Sequence, residues 1–457
     1  MIKNEILRKL EVIDIAKDGY GVVRNGDNAV IFVKGTVPGD FVDIRIVKKK
    51  KNYYEGEVLT YLKLSEHRNK PFCDHFGVCG GCKLQNMKYE STLLYKKKHI
   101  IDCLKRISKI SEFEIEDIIY YRNKMEYTFS NRGWLDKEDY INGKTVEGAL
   151  GLHVSGFYSR VLNINKCFLQ RDPSNKIRNF IREYALKNNI PFFDIKFQNG
   201  FLRNLTIKTT QTEIMLIFSF FENIKSIIEP MLETVIKQFP EINSLIYVIN
   251  NKKNDIITDL PYVTFYGLPY ITENLGNIKF RIGPHSFFQT NTNQTVKLYD
   301  LIKEYSKFKK TDIVYDLYCG VGTISNYIAG SVKKVIGIEF VSQAIDDAIV
   351  NSKINNINNT KFYCGDVNKV IDKEFLRNNP LPDVIIIDPP RIGVHPDVIE
   401  KIIEINPEKI IYVSCNPSTQ ARDISLLMGH YKLIKTRGVD MFPYTDHIEN
   451  VVLMEKI

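Results

Sequence analysis

Four continuous apolar runs in the C-terminal third, Ile313–Leu317, Lys334–Glu339, Asp383–Asp388 and Lys409–Ser414, alternate with stretches of helical pattern. A run that is apolar along its whole length has no face to give to water. It must be buried on both sides, and the helices between the runs are its covers. The pattern predicts a parallel sheet in a layered α/β domain. In such sheets ligands bind outside the carboxyl ends of the strands. Each run here ends in residues of unusual chemistry: a glycine loop, an acid, an acid followed by two prolines, and a cysteine.

The first strand end reads DIVYDLYCGVG over residues 312–322, and Thr323–Ala329 opens a helix. Gly320 and Gly322 let the backbone approach a ligand closely. Seventeen residues past Gly322, the run KKVIGIEF ends with Glu339, placed to accept hydrogen bonds from ribose hydroxyls. Gly365-Asp366 follows the next strand, where a carboxylate or its neighbours can meet adenine. The loop lacks the third glycine of the dinucleotide fingerprint, which disfavours a pyrophosphate ligand. S-adenosylmethionine has no phosphate and needs only the first turn and the acid. An α/β domain binding another nucleotide is the alternative.

Asp388-Pro389-Pro390-Arg391 follows the run DVIIID, and the prolines fix Asp388 at the strand's carboxyl end. Similar acid-Pro-Pro motifs occur in enzymes that methylate exocyclic amines, so that reaction stays open at this point. The next run ends in Ser414-Cys415-Asn416-Pro417, which brings a thiol to the same sheet edge. A lone cysteine is usually packing, but this one stands on a strand-to-loop turn. Asp446-His447-Ile448-Glu449 leads into a last strand and reads in isolation as a polar turn. One chemistry needs a thiol, a base and a group holding a pyrimidine edge together. Carbon 5 of uracil is a poor nucleophile until a thiolate adds to carbon 6, and the methylated adduct must lose its carbon 5 proton before the thiol leaves. Cys415, Glu449 and Asp388 supply that set, whereas amine methylation needs neither thiol nor such a base. The target base must leave its stack to reach the thiol.

The N-terminal part has a different character. Residues 1–60 carry short β-rich runs and turn signals, which predicts a small barrel. The net charge is +9, and residues 31–110 hold 17 Lys and Arg against 8 Asp and Glu, so the whole excess lies there. That is the footprint of a polyanion-binding module, with a Lys-rich compositional bias as the plainer reading. Lys48 to Lys51, followed by Tyr53 and Tyr54, joins charge to possible stacking surfaces. Residues 88–109 read as a basic helix. Cys73, Cys79 and Cys82 follow C-x5-C-x2-C, and Cys167 lies far downstream. The spacing alone admits zinc or an iron–sulfur cluster, and it differs from the C-x3-C-x2-C of radical enzymes. Cys103 reads as helix core, and Cys319 is a rival thiol in the glycine loop. No apolar run approaches the roughly 20 residues that span a bilayer, and MIKNEILRKLEVID has no signal-like apolar region, so a cytoplasmic protein without membrane contact is expected.

Taken together, PHSFFQTN, DLYCGVGT, IIDPPR, SCNP and DHIENVVLM, in that order along the chain, resemble the RNA uracil-5-methyltransferase family. The resemblance covers nearly the whole chain. It implies an α/β, Rossmann-like S-adenosylmethionine-dependent methyltransferase domain over 281–457. Before it stand a TRAM-like RNA-binding β-barrel over 1–61 and a central α+β iron–sulfur domain over 62–280. The segment 88–112 is expected to pack on the methyltransferase domain. By resemblance Cys415 is the nucleophile and Glu449 the base. Gln289, Tyr318, Thr323, Glu339, Asp366 and Asp388 are the expected cofactor contacts, Thr323 and Asp366 standing where some members carry asparagine. Cys73, Cys79, Cys82 and Cys167 are the expected ligands of a [4Fe–4S] cluster. Members bearing the cluster mostly act on large-subunit ribosomal RNA, so a monomeric 23S rRNA (uracil-5-)-methyltransferase is the leading expectation. A tRNA uridine methyltransferase and a non-catalytic RNA-binding or assembly factor are the alternatives.

Overall fold

The computed structural model describes residues 3–105 and 118–457, and among them the strands form three main sheets and one hairpin. The first sheet has six strands, in the order Ile6–Glu11, Phe41–Lys49, Tyr54–Lys63, Val30–Val33, Gly21–Arg24, Asp14–Ile15. The chain leaving the first strand ties both edges together. The Val12 N–H donates to Asp40 O and the Ile13 N–H to Val22 O, which closes the sheet into a small barrel. Val12, Val23, Ile31, Val33, Val42, Ile44 and Ile46 fill its core. These are the alternate, inward positions that a half-buried strand devotes to apolar residues.

The central sheet has seven strands, from Tyr262–Gly267 at one edge to Phe157–Asn163 at the other. One pair, Ile214–Phe220 with Ser244–Ile249, is parallel and needs a crossover, which the helix Lys225–Gln238 supplies. Cys167 belongs to the core beneath this sheet, with Cys79 and Cys82 packed against it.

The C-terminal sheet also has seven strands, in the order Thr360–Cys364, Lys334–Glu339, Ile313–Leu317, Val384–Ile387, Lys409–Ser414, Glu449–Lys456, Tyr431–Val439. The first five are parallel, and the last two join antiparallel. Two separate apolar cores cover its two faces, as continuous apolar strands demand. Strand order reverses between Ile313–Leu317 and Val384–Ile387, and a crevice opens at such a point.

Two segments pack away from their neighbours in sequence. The hairpin Ile271–Leu275 with Ile278–Ile282, read from sequence into the central segment, buries Ile271, Leu275, Phe280 and Ile282 in the C-terminal core. The helix Tyr89–Leu104 lays Ile100 and Leu104 into the other C-terminal core, beside the helix Pro417–Leu427. Residues 106–112 of the expected 88–112 segment lie outside the described residues. No helix among those described is long and apolar enough to cross a membrane.

Candidate active site

The glycine loop after Ile313–Leu317 is left-handed at three residues, Tyr318 (φ +66°), Gly320 (φ +53°) and Gly322 (φ +71°). At Gly322 a side chain would also press on Ala348, only 2.9 Å from where a Cβ would stand, so glycine serves both packing and conformation. A Cβ at Gly320 would meet nothing within 4 Å, which leaves that side of the loop open to a ligand. Glu339 accepts from the Gly320 N–H (3.1 Å) and the Val341 N–H (3.0 Å), so its carboxylate is fixed at the strand end.

Three more acids meet behind this loop. Asp316 is fully buried and accepts from Ser325 Oγ at 2.6 Å, while its Oδ1 has no partner among the described residues. Burial, with Glu339 adding to it, pushes its carboxyl up to about 7. Asp388 is likewise pushed up to about 7, by burial and then by Asp316. Glu449 is 5% exposed and rises to about 8 through burial and then Asp388, with Arg391 opposing. Carboxylates that raise one another in this way resist ionising together, and the Gly320 side of the loop stays open to a ligand.

Cys415 is half-buried at the end of Lys409–Ser414 and lines a cavity of about 500 Å3. Arg391, His99, Tyr95, Lys17 and His447 share this cavity, so the barrel, the helix Tyr89–Leu104 and the sheet edge all border it. Burial and then Glu449 push the thiol up to about 11, with Arg391 opposing. The turn is rigid. Asn416 caps the helix Pro417–Leu427 by accepting from the Ser418 N–H, and its Nδ2 donates to Arg391 O at 3.1 Å. The rival thiol Cys319 is 6% exposed and raised well above its usual value by burial. It stands outside the residues lining the cavity and packs against Gly337.

The model of the tRNA (uracil-5-)-methyltransferase family matches residues 196–457, and that of the TRAM domain matches residues 9–59. An uncharacterized RNA methyltransferase of Bacteroides thetaiotaomicron is 44% identical over 453 residues, covering 96% of this chain and 100% of the relative. One of Porphyromonas gingivalis is 44% identical over 461 residues, covering 97% and 99%. The crystal structure of a Pyrococcus abyssi tRNA (uracil-54, C5)-methyltransferase with S-adenosyl-L-homocysteine superposes with a TM-score of 0.77 at 26% identity, over 98% of this chain and 99% of that one. The chain belongs to the RNA uracil-5-methyltransferase family.

The activity of this family is S-adenosylmethionine-dependent methylation of carbon 5 of uracil in RNA. In this uracil-5-methyltransferase the remaining expected cofactor positions behave unequally. Tyr318 is half-buried near Asp366 and pushed up to about 12, chiefly by burial. Asp366 is exposed and caps the helix Val367–Val370 by accepting from the Asn368 N–H. The Thr323 hydroxyl accepts from the Tyr299 hydroxyl at 2.8 Å. Gln289 is half-buried, and its backbone carbonyl accepts from Asn123 Nδ2 at 2.9 Å.

The cysteines also sort themselves. Cys73, Cys79, Cys82 and Cys167 ring one pocket together with apolar Leu152 and Phe168. Burial, reinforced by the neighbouring thiols, pushes Cys79 up to about 11 and Cys82 up to about 12. Cys167 is buried and the other three thiols are half-buried, so four sulfurs share one largely apolar pocket. Among the described residues no three His, Cys, Asp or Glu side chains converge as a single metal ion requires. Cys103 departs from its core reading. Its Sγ is 3.3 Å from Ser418 Oγ and 3.9 Å from His99 Nδ1, because its helix faces the cavity rim there. Burial raises this thiol, but His99 and Ser418 outweigh it and leave it below its usual value.

Three site neighbours escaped the sequence reading. Tyr299 stands close enough to Asp388, Asp316 and Glu449 to feel their charges, on a helix whose pattern reads simply as core. Asp316 lies two residues before the glycine loop, where an acid in an apolar strand carries no mark of its own. Lys208, on the strand Leu202–Thr209, donates to the carbonyls of Gly283 (2.7 Å), Pro284 (3.0 Å) and Ser286 (3.1 Å), just before Gln289. A lysine in an alternating strand carries no signal of such a clamp.

Proposed function

We propose that this chain methylates carbon 5 of a uridine with Cys415 as covalent nucleophile and Glu449 as base. The carrying observation is that Ser414 pairs with Asn450 across the antiparallel strands, which puts the cavity-lining Cys415 and Glu449 together at one sheet end, with Asp388 at the end of the strand on the other side of Lys409–Ser414. Thiolate addition forms the sulfur–carbon 6 bond and moves the ring electrons onto the carbon 4 oxygen. S-adenosylmethionine, when bound, would supply the methyl group that carbon 5 receives, its sulfur keeping the electrons of the broken bond as it becomes S-adenosylhomocysteine. Glu449 then accepts the carbon 5 proton, the electrons restore the ring double bond, and the carbon 6–sulfur bond breaks to free Cys415. A carboxyl raised toward neutrality suits this work, since it binds the proton firmly yet ionises near operating pH. Gln289, Tyr318, Thr323, Glu339, Asp366 and Asp388 would hold the methyl donor. Cys73, Cys79, Cys82 and Cys167 would hold a [4Fe–4S] cluster, with no step passing through it.

The proposed domains are the barrel over 1–61, the central domain over 62–280 and the methyltransferase domain over 281–457. For the RNA we propose 23S rRNA, acted on by a monomer in the cytoplasm. The likeness to a tRNA (uracil-54, C5)-methyltransferase favours tRNA as the second reading. Mass-spectrometric mapping of methyluridines in rRNA and tRNA from a deletion strain decides between them.

The mechanism is tested on a denaturing gel with substrate RNA and S-adenosylmethionine. Cys415→Ala should give no covalent protein–RNA band. Glu449→Gln should accumulate a methylated adduct, because attack and transfer proceed while elimination stalls. RNA carrying 5-fluorouridine should trap the wild-type enzyme the same way, since fluorine cannot leave as a proton. A band from Cys415→Ala moves the nucleophile elsewhere, and near-normal turnover by Glu449→Gln removes it as the base.

A further inference from the structure

The loop 440–448 joins the antiparallel strands Tyr431–Val439 and Glu449–Lys456, and the pairing of Val439 with Glu449 puts Glu449 at its foot. Distant parts of the molecule take hold of this loop. Tyr89 Oη and Lys96 Nζ each donate to Asp440 at 2.8 Å. Tyr121 Oη donates to Pro443 O at 3.2 Å, and the Asp18 N–H of the barrel donates to Asp446 Oδ2 at 2.9 Å. The densest grip is on Tyr444. Its carbonyl accepts from both the Lys83 N–H (2.8 Å) and the Leu84 N–H (3.0 Å). Its ring centre lies 5.3 Å from Phe72 and 5.4 Å from Tyr89, and Phe72 packs edge-on against Phe168 at 5.1 Å. Tyr444 is 5% exposed and sits at φ +60°, which a non-glycine residue holds only where its surroundings enforce it.

These contacts share an origin. Phe72 adjoins Cys73, Lys83 adjoins Cys82 and Phe168 adjoins Cys167. Each of these three thiols of the four-cysteine pocket is thus one residue from a group touching Tyr444 or its ring partner. We propose that Tyr444 is a positioning residue through which closure of the four-cysteine pocket fixes the turn that carries Glu449. This rests on the reading of Glu449 as the base. With the thiols held by one bound group, as the proposed function has it, segments 72–73, 82–84 and 167–168 would make a fixed socket for the Tyr444 ring and carbonyl. The socket holds the left-handed turn, and the turn propagates locally. Thr445 Oγ1 donates to Phe442 O at 2.8 Å and accepts from the His447 N–H at 3.2 Å, two residues before Glu449. When the socket loosens, the turn loses its grip on the Tyr444 ring and carbonyl and keeps only the holds on Asp440, Pro443 and Asp446, and the start of the Glu449 strand shifts. This role needs no change of oxidation state at the cysteines.

The test is hydrogen exchange on the full-length protein, read at the amides of residues 445–449, in Tyr444→Phe, Tyr444→Ala, Cys82→Ser and wild type. Tyr444→Ala and Cys82→Ser should both exchange faster there while Ile313–Leu317 stays protected. Tyr444→Phe keeps the ring and should match wild type. In turnover, Tyr444→Ala should lose about 10- to 100-fold in kcat, the scale of a small misplacement of a reacting group. Its KM for S-adenosylmethionine should stay within about twofold, and it should accumulate the same methylated adduct as Glu449→Gln. Wild-type exchange at 445–449 in Tyr444→Ala or in folded Cys82→Ser overturns the proposal. Should Cys82→Ser fail to fold, Phe72→Leu takes its place and must loosen the same amides. Faster exchange with unchanged kcat supports the coupling and overturns instead the assignment of Glu449 as base.

Discussion

Glu449, Asp388 and Asp316 are three acids whose charges oppose one another in a buried site, and their protonation should be visible in the enzyme's pH behaviour. Glu449 at about 8 must be ionised to take a proton after methyl transfer, so kcat should rise with pH along a limb centred near 8, while kcat/KM should follow ionisation of the Cys415 thiol toward 11. Asp388, whose charge raises both Glu449 and Cys415, is the lever. Asp388→Asn should lower the overall rate and move the limb to lower pH, because its neutral amide no longer opposes ionisation of either group. A limb that stays in place shows that other groups govern it. The same residues bear on stability. Each acid has a folded value above its ordinary one, about 7 for Asp316 and Asp388 and about 8 for Glu449. The folded form therefore binds the extra protons, and their contribution is complete below about 4 and lost as pH climbs through 7 to 8. Ligand-free protein should show a lower Tm at pH 9 than at pH 6 by calorimetry. Sequence exposed only part of this site. Cys415, Glu339 and Asp388 were legible because each ends an apolar run, and strand ends are where such sheets bind ligands. Tyr299, Tyr444 and Lys208 were not, because they arrive from other elements across folded space, and nothing in their local pattern marks that approach.

At the scale of elements, the alternation of apolar run and helix made the C-terminal sheet readable, since burial on both faces leaves no other arrangement. What sequence could not supply was docking. The helix Tyr89–Leu104 reads as basic and helical, yet its partner lies more than 300 residues downstream, and Lys96 within it is buried rather than solvated. The Lys96 side chain is 3% exposed and pairs with a fully buried Asp440 at 2.8 Å, and it also donates to Phe442 O at 3.2 Å. A buried pair of this kind adds little net stability, but removing one partner leaves an unbalanced charge in the interior. Lys96→Met should therefore cost about 3–5 kcal/mol in denaturant unfolding. Adding Asp440→Asn should recover part of that loss, because the stranded charge goes with it. A Lys96→Met loss below about 1 kcal/mol, the size of an exposed pair, would mean that water reaches Asp440. The hairpin Ile271–Leu275 and Ile278–Ile282 makes the same point from the other side. Its alternation marked it as strand, but nothing in the pattern said which of two adjacent cores would receive it.

Across the whole molecule, the positive excess lies in residues 31–110, and the cavity that holds Cys415 is bordered by Ile15 to Lys17 of the barrel and by the helix Tyr89–Leu104. Not all of that charge is free to meet a polyanion. Arg45 pairs with Glu57, Arg68 with Asp40, Lys96 with Asp440 and Lys98 with Asp14. Lys48, Lys49, Lys50 and Lys51 have no ion pair among the described residues. They stand where the strands Phe41–Lys49 and Tyr54–Lys63 turn, and Lys49 lies 6.0 Å from the Tyr54 ring centre. Phosphates displace counterions as they bind, so affinity falls with salt in proportion to the number contacted. If about six are engaged, the log–log slope of RNA affinity against salt should be roughly −4 to −5, by the single-strand or duplex coefficient. Replacing Lys48 to Lys51 with glutamine should flatten that slope by up to roughly three units, at 0.7 to 0.9 for each phosphate released. Filter binding at several salt concentrations reads both numbers. The S-adenosylmethionine affinity should not change, since the glycine loop and its acids lie on a different sheet. A slope that survives the quadruple replacement would show that the hairpin points to solvent, and that other cations meet the phosphates.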